Sequence, residues 1–274
     1  MQNYEIVEQL SSSTYKAIRA TDQRVLALKK ISYVGLSKPD KKKIVDTINT
    51  MIQFHCTNVV RYHNCVVDAE NGTLNLLTEY IEGGTIQDLI NRHAESKRPI
   101  DEERIWSIAT DIALALYECH THKPQPIAHG SLTPDHIFLD SADSAKIGCF
   151  SLNSCQSVDV EQDLNDLGKN IFEMATLTKY DGNHHTFLNK LKGVGEGIRE
   201  VLIKLLSPAG PKFTLVKFLE FPEVALKVLE KKLRIETAFY EQEKAKYLAL
   251  EDSLNKREKA LSNQEFHEPV QEAM

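Results

Sequence analysis

The chain has 274 residues, a length for one large domain or two small ones, with 42% hydrophobic and 26% charged residues, the balance of a soluble protein with a core of its own. Lys and Arg number 33 against 39 Asp and Glu, and the net charge of −6 argues against nucleic acid as the main ligand, because phosphate binding needs a basic face. No apolar run approaches the ~18 residues of a membrane span, and the first five residues, Met1 to Glu5, have neither the basic region nor the apolar core of a signal peptide.

In chain order, Tyr4 to Leu10 and Tyr15 to Ala20 are short apolar runs on either side of a Ser-Ser-Ser-Thr turn, and Val25 to Ile31 is a third. Runs of this kind, separated by turn residues, predict a β-meander. Lys41 to Phe54 places Ile44, Val45, Ile48, Met51 and Ile52 at helical spacing. Val59 to Val67 and Leu74 to Tyr80 read as two further strands joined by the turn Asp68 to Gly72. Five strands and one helix make a small N-terminal lobe, residues 1–81. Residues 82–222 are mainly helical. Ile105 to His120 carries an apolar stripe with Asp101 as its expected N-cap. Asp163 to Leu177 and Gly197 to Leu206 are further amphipathic helices, and Ile137 to Leu139 and Ala145 to Ile147 are two short strands.

From Glu223 the composition shifts to Glu, Lys, Ala and Leu, with no Pro until Pro269. Residues 223–265 therefore read as one long helix, followed by a polar tail, 266–274. Leu226, Leu233, Tyr240, Tyr247, Leu254 and Leu261 recur every seven residues, and Leu229, Glu236, Glu243, Leu250, Arg257 and Gln264 fill the second seam position. One seam position is apolar throughout and the other in two repeats of six. The pattern predicts a coiled coil; the competing reading is a solvated helix packed back on the domain.

The five cysteines, Cys56, Cys65, Cys119, Cys149 and Cys155, are odd in number and form no Cys-x-x-Cys. A disulfide framework or zinc site is not expected, and a reducing, intracellular compartment fits. The close histidine pairs, His120 with His122 and His184 with His185, lack partners at ligand spacing, so no metal site is expected.

Leu26-Ala27-Leu28-Lys29 resembles the Val-Ala-Ile-Lys strand of protein kinases. Thr78 to Gly84 resembles their hinge, with Thr78 as gatekeeper and Glu79, Tyr80 and Ile81 as hinge residues. The segment from His129 to Leu139 resembles the catalytic loop, Lys146 to Leu152 the metal-binding Asp-Phe-Gly segment, and Asp163 to Gly168 the start of the buried helix of the large lobe. The resemblance covers roughly residues 4–222 and implies an α+β, bilobal protein-kinase-like fold. Leu114 to His120, Asn58 to Tyr62 and Phe138 to Asp140 resemble the NIMA-related (NEK) Ser/Thr kinases, in which a coiled coil after the kinase lobes is common.

Set against that family pattern, most chemical positions are changed. Ser11, Ser13 and Lys16 stand where the phosphate loop carries glycines, whose lack of a Cβ lets backbone N–H groups reach the phosphates. Lys29 is the retained strand lysine, but Thr47 stands at the position of its glutamate partner, with Asp46 about 100° away on the helix. Ser131 replaces the base aspartate, Thr133 the loop lysine, His136 the metal-binding asparagine and Cys149 the metal-binding aspartate. Gly130 removes the arginine that reads an activation-loop phosphate. Only residues 150–162 separate Cys149 from Asp163, no Ala-Pro-Glu occurs, and Lys212 stands about where an arginine normally sits. Ser151, Ser154 and Ser157 offer hydroxyls for phosphorylation, although solvated loop serines are commoner. What remains is architectural. Tyr62, Met51, Phe150 and His129 occupy the stacked positions that join kinase lobes, Ile18, Ala27 and Phe138 those that sandwich adenine, and Asp163 the one that anchors the catalytic loop.

The expected protein is a pseudokinase: a scaffold or allosteric module with no catalytic residues, no bound metal and no Mg-ATP cofactor, self-associating through 223–265. Expected partners are proteins, other kinases or cytoskeletal proteins among them, and neither nucleic acid nor membrane. The resemblance implies a cytoplasmic setting at the centrosomal, ciliary or flagellar cytoskeleton. The rivals are a weak or unconventional Ser/Thr kinase holding ATP through Lys29 alone, and a metal-free nucleotide sensor.

Overall fold

The computed structural model describes residues 4–151, 159–207 and 213–265. It divides into two compact units, residues 1–225 and 226–274.

In the first unit, five antiparallel strands form a sheet in the order β1-β2-β3-β5-β4: β1 Tyr4–Gln9, β2 Thr14–Arg19, β3 Val25–Ser32, β4 Tyr62–Asp68 and β5 Thr73–Glu79. Side chains alternate between faces along each strand. One face buries Ala17, Leu26, Leu28 and Leu77 in a small cluster of their own. Registers Lys16↔Ala27, Lys29↔Leu76 and Ala27↔Thr78 place Lys16, Ala27, Lys29 and Thr78 together on the other face. Helix α1, Lys38–Gln53, begins where the Ser37 hydroxyl accepts from the Asp40 amide, and it buries Ile44, Ile48 and Met51 at i, i+4, i+7 spacing.

The strand expected from Val59 begins at Tyr62 instead. Val59 and Val60 are buried, yet they pair with β7 rather than with the sheet: the Val60 amide donates to the Ile147 carbonyl and the Ile147 amide to that of Asn58, both at 2.9 Å. An apolar run alone cannot tell which strand it will pair with.

The remainder of the unit is mainly helical. Helix α2, Ile86–Ser96, opens with a capping box between Thr85 and Asp88, and α3, Glu102–Thr121, runs through the centre of the core. Asp101 takes the N-cap position of α3, but its carboxylate caps nothing; Glu102 instead accepts from the Gly195 amide at 2.9 Å. Strands β6, Ile137–Leu139, and β7, Ala145–Ile147, form a two-stranded ladder. Helix α4, Val160–Thr176, starts three residues before the expected Asp163, because Asp159 caps it through the Gln162 amide. Helices α5, His184–Lys190, α6, Glu196–Leu206, and α7, Leu215–Leu219, complete this region.

Helix α8, Pro222–Glu265, starts in the first unit, where Phe221 stacks on Trp106 and Val224 is fully buried. The boundary between units therefore falls after Ala225, not at the compositional shift at Glu223. No helix of the described residues is long and apolar enough to cross a membrane.

Candidate active-site cleft

Asp163, in the first turn of α4, is completely buried and gathers three donors. Its carboxylate accepts from the amides of His129 and Gly130 at 2.8 and 2.9 Å and lies 2.8 Å from His120 Nε2. A carboxylate taken from water needs such partners, and charge-assisted bonds of this kind are the strong ones. Gly130 has φ of +70°, a left-handed conformation that a glycine enters without steric cost.

His129 is held from both sides. Its Nε2 donates to the Gly148 carbonyl at 2.7 Å, and its Nδ1 accepts from the Ser131 amide at 3.3 Å. Burial outweighs the attraction of Asp163 and pulls its pKa down to about 4, so the ring is neutral near pH 7. Its centroid lies 4.5 Å from that of Phe150. Phe150, Tyr62 and Met51 belong to one continuous apolar core, and burial pushes the Tyr62 phenol up.

The loop anchored by Asp163 carries Ser131 and His136, both half-buried, and exposed Thr133. His136 Nδ1 donates to the Ser131 carbonyl at 2.6 Å, and the Gly148 amide donates to the His136 carbonyl at 2.9 Å. Cys149 follows, half-buried, with φ of +56°. This left-handed region is where Asp and Asn are enriched among non-glycine residues. Among the described residues no group of three or more His, Cys, Asp or Glu gathers at metal-binding distance. Ser154, Ser157 and Lys212 lie outside the described residues.

On the other wall, Lys29 is half-buried and has no ion pair or hydrogen bond from its ammonium among the described residues; Thr47 is half-buried and Asp46 exposed. The turn over residues 10–13, with Ser11 exposed and Ser13 half-buried, is closed on itself. Both the Leu10 and Ser11 amides donate to the Thr14 carbonyl, at 2.9 and 3.0 Å. Lys16 reaches the hinge: its Nζ lies 4.6 Å from the centroid of the Tyr80 ring, a cation–π contact from β2 to the segment after β5.

The hinge is braced from behind. Glu79 accepts from the Arg61 amide at 2.7 Å, and both its oxygens lie 2.9 Å from Lys146 Nζ on β7. Thr78, Tyr80 and Ile81 are half-buried beside it. A Cβ on Gly83 would lie 2.2 Å from the Leu139 carbonyl oxygen, so this approach needs a glycine. Three contacts had no motif to announce them: His120 on Asp163, Lys146 on Glu79 and Lys16 on Tyr80. Each joins residues far apart in sequence through side chains that could equally face solvent.

A five-stranded sheet with one helix, a helical region behind it, and an aspartate-anchored loop between them define the two-lobed protein kinase architecture. The protein kinase domain family matches residues 9–167, and the chain belongs to it. It is similar to NIMA-related Ser/Thr kinases: 29% identical over 157 residues to serine/threonine-protein kinase Nek2 of Homo sapiens, covering 55% of this chain and 35% of that protein. It is 31% identical over 156 residues to probable serine/threonine-protein kinase nek2 of Dictyostelium discoideum, covering 56% and 37%. It is 29% identical over 173 residues to G2-specific protein kinase fin1 of Schizosaccharomyces pombe, covering 56% and 24%. The chain thus spans about a third or less of the length of these curated relatives.

Proposed function

We propose that this NEK-like kinase homologue is catalytically inactive and works as a scaffold or allosteric protein-interaction module. The observation that carries the reading is the loop held by Asp163, which presents Ser131, Thr133 and His136, with Cys149 following, where phosphoryl transfer needs a base and metal ligands. A serine hydroxyl does not accept a proton at neutral pH as a carboxylate does. An imidazole whose Nδ1 is engaged by the Ser131 carbonyl and a thiol do not fit Mg²⁺, a hard cation that takes oxygen ligands. Lys16 on Tyr80, together with Leu10 and Ser11 amides committed to Thr14, leaves the phosphate-loop side poorly suited to ATP. Loss of the base and both metal ligands removes many powers of ten in rate, each about 1.4 kcal/mol of barrier.

Partners are proteins, other kinases or cytoskeletal proteins, and the tail helix supplies self-association. A cytoplasmic, centrosomal or ciliary setting follows from the NIMA-related likeness alone. The second reading, a weak kinase or nucleotide sensor, is favoured by Lys29, kept half-buried and uncommitted on the cleft face.

Two assays separate these readings. In thermal unfolding with millimolar ATP, with and without Mg²⁺, the expected result is no shift. A ligand at 100 times its Kd would add about 2.7 kcal/mol, a shift that is readily seen. In a transfer assay on a generic substrate and on the protein itself, wild type and Lys29→Ala should be equally silent. Activity present in wild type and lost in the variant overturns the proposal.

A further inference from the structure

The second unit presents an apolar seam that is exposed among the described residues. Leu233, Tyr240, Tyr247, Leu254 and Leu261 of α8 are each more than half exposed, as are Leu229 and Leu250 at the alternate seam position. Two parallel copies would set every seam residue against its own counterpart. Glu236 would then face Glu236, Glu243 face Glu243 and Arg257 face Arg257: three like-charge pairs set directly opposite one another in the seam. Antiparallel copies instead set each of these positions against one of the Leu or Tyr positions.

We propose that α8 pairs with a second copy of itself in antiparallel orientation, centred between Leu248 and Ala249. This rests on the self-association proposed above. In that register Glu243 lies across from the second copy's Leu254, Glu236 from its Leu261, and Tyr247 from its Leu250. Arg257 lies across from the second copy's Tyr240, whose ring face suits a guanidinium. On the flank, Lys244 meets the second copy's Glu251, and symmetry makes this contact twice. Among the described residues the ion pair of Lys244 is a loose one, to Glu241 of its own helix at 4.0 Å, so its ammonium can turn to another partner. Glu243 keeps Lys246 of its own helix beside it at the rim. Sliding the pair by one heptad in one direction sets Lys244 against Lys244, and in the other sets Glu251 against Glu251. Charge therefore selects the centred register from its neighbours. The two copies enter the rod from opposite ends.

The test uses the full chain. Light scattering should give a dimer. Cross-linking a mixture of ¹⁴N- and ¹⁵N-labelled protein with a short amine reagent should join Lys232 of one copy to Lys259 of the other. The two residues lie roughly 40 Å apart along one helix, at a rise of about 1.5 Å per residue, so the link cannot form within a copy. Lys244→Glu should weaken the dimer roughly fivefold to tenfold, and adding Glu251→Lys should restore it. In a parallel pair Glu251 faces Lys246 instead, so the second change would not restore binding. A dimer with Lys232–Lys232 links and no restoration overturns the antiparallel orientation while leaving self-association intact. A monomeric full chain overturns both.

Discussion

Asp163 and His129 show how a buried polar pair is tolerated. The carboxylate has three donors, and the imidazole is kept neutral with a hydrogen bond at each nitrogen. Neutrality has a consequence for pH. Burial lowers the folded-state pKa of His129 from its ordinary 6.5 to about 4, so only the unfolded chain takes up this proton between those values. Well above pH 6.5 the group contributes nothing to pH dependence. Below it, stability falls until about pH 4, by up to about 3 kcal/mol, and then this contribution levels off. Urea unfolding from pH 7 to 4 should show this loss, and His129→Asn should flatten the profile while lowering stability at pH 7. A wild-type profile as flat as the variant's refutes the assignment. At Cys149 the backbone is left-handed at φ +56°, where a cysteine is strained and an asparagine is at ease. Cys149→Asn should raise stability by about 0.5–1 kcal/mol in the same unfolding assay. A destabilised variant would mean that the thiol's packing outweighs the backbone strain.

At the scale of elements, the sequence was most informative where period and burial agree. Ile44, Ile48 and Met51 announce α1, and the apolar run from Val25 to Ile31 announces β3. It was least informative where a segment's partner is distant. Val59 and Val60 look like the beginning of a strand and instead stitch to Ile147. The start of α4 lies three residues before the expected Asp163 because Asp159 caps it. Helix α2 carries little sequence signal of its own, because only Ile86, Leu89 and Ile90 are buried on an otherwise polar segment. The site follows the same rule. Motif order placed the hinge, loop and strand lysine in the chain, but the brace from Glu79 to Lys146 and the reach of Lys16 to Tyr80 depend on side-chain direction after folding. The junction of hinge and loop is also the element most sensitive to a single atom. A methyl group on Gly83 meets the fixed Leu139 carbonyl at 2.2 Å and its carbon at 3.0 Å, with no flexible side chain to yield. Gly83→Ala should cost about 2 kcal/mol or more, read as a lowered urea midpoint with an unchanged slope. A loss under about 0.5 kcal/mol would show that the hinge can shift at little cost.

For the whole molecule, the fold and the proposed self-association rest on different units. The first contains the continuous core, and its last buried residues, Phe221 and Val224, already lie at the edge of α8. Removing the tail at the compositional boundary, after residue 222, would delete Val224 and unpack the first unit, so loss of self-association in that fragment would be confounded with loss of fold. Substitutions within the exposed seam avoid this. Leu233 and Leu254 are 65% and 56% exposed in the single chain, so changing them removes little packing there. In a paired helix each is duplicated and buried, and a charge at either site would lose solvent without a partner. Leu233→Glu with Leu254→Glu should weaken self-association by at least about 100-fold, while the thermal transition of the first unit stays where it is. Light scattering across a concentration series, with calorimetry on the same samples, measures both. A double variant that remains as associated as wild type would place the contact outside the seam. A shifted transition of the first unit would mean that these leucines support the fold and not its pairing.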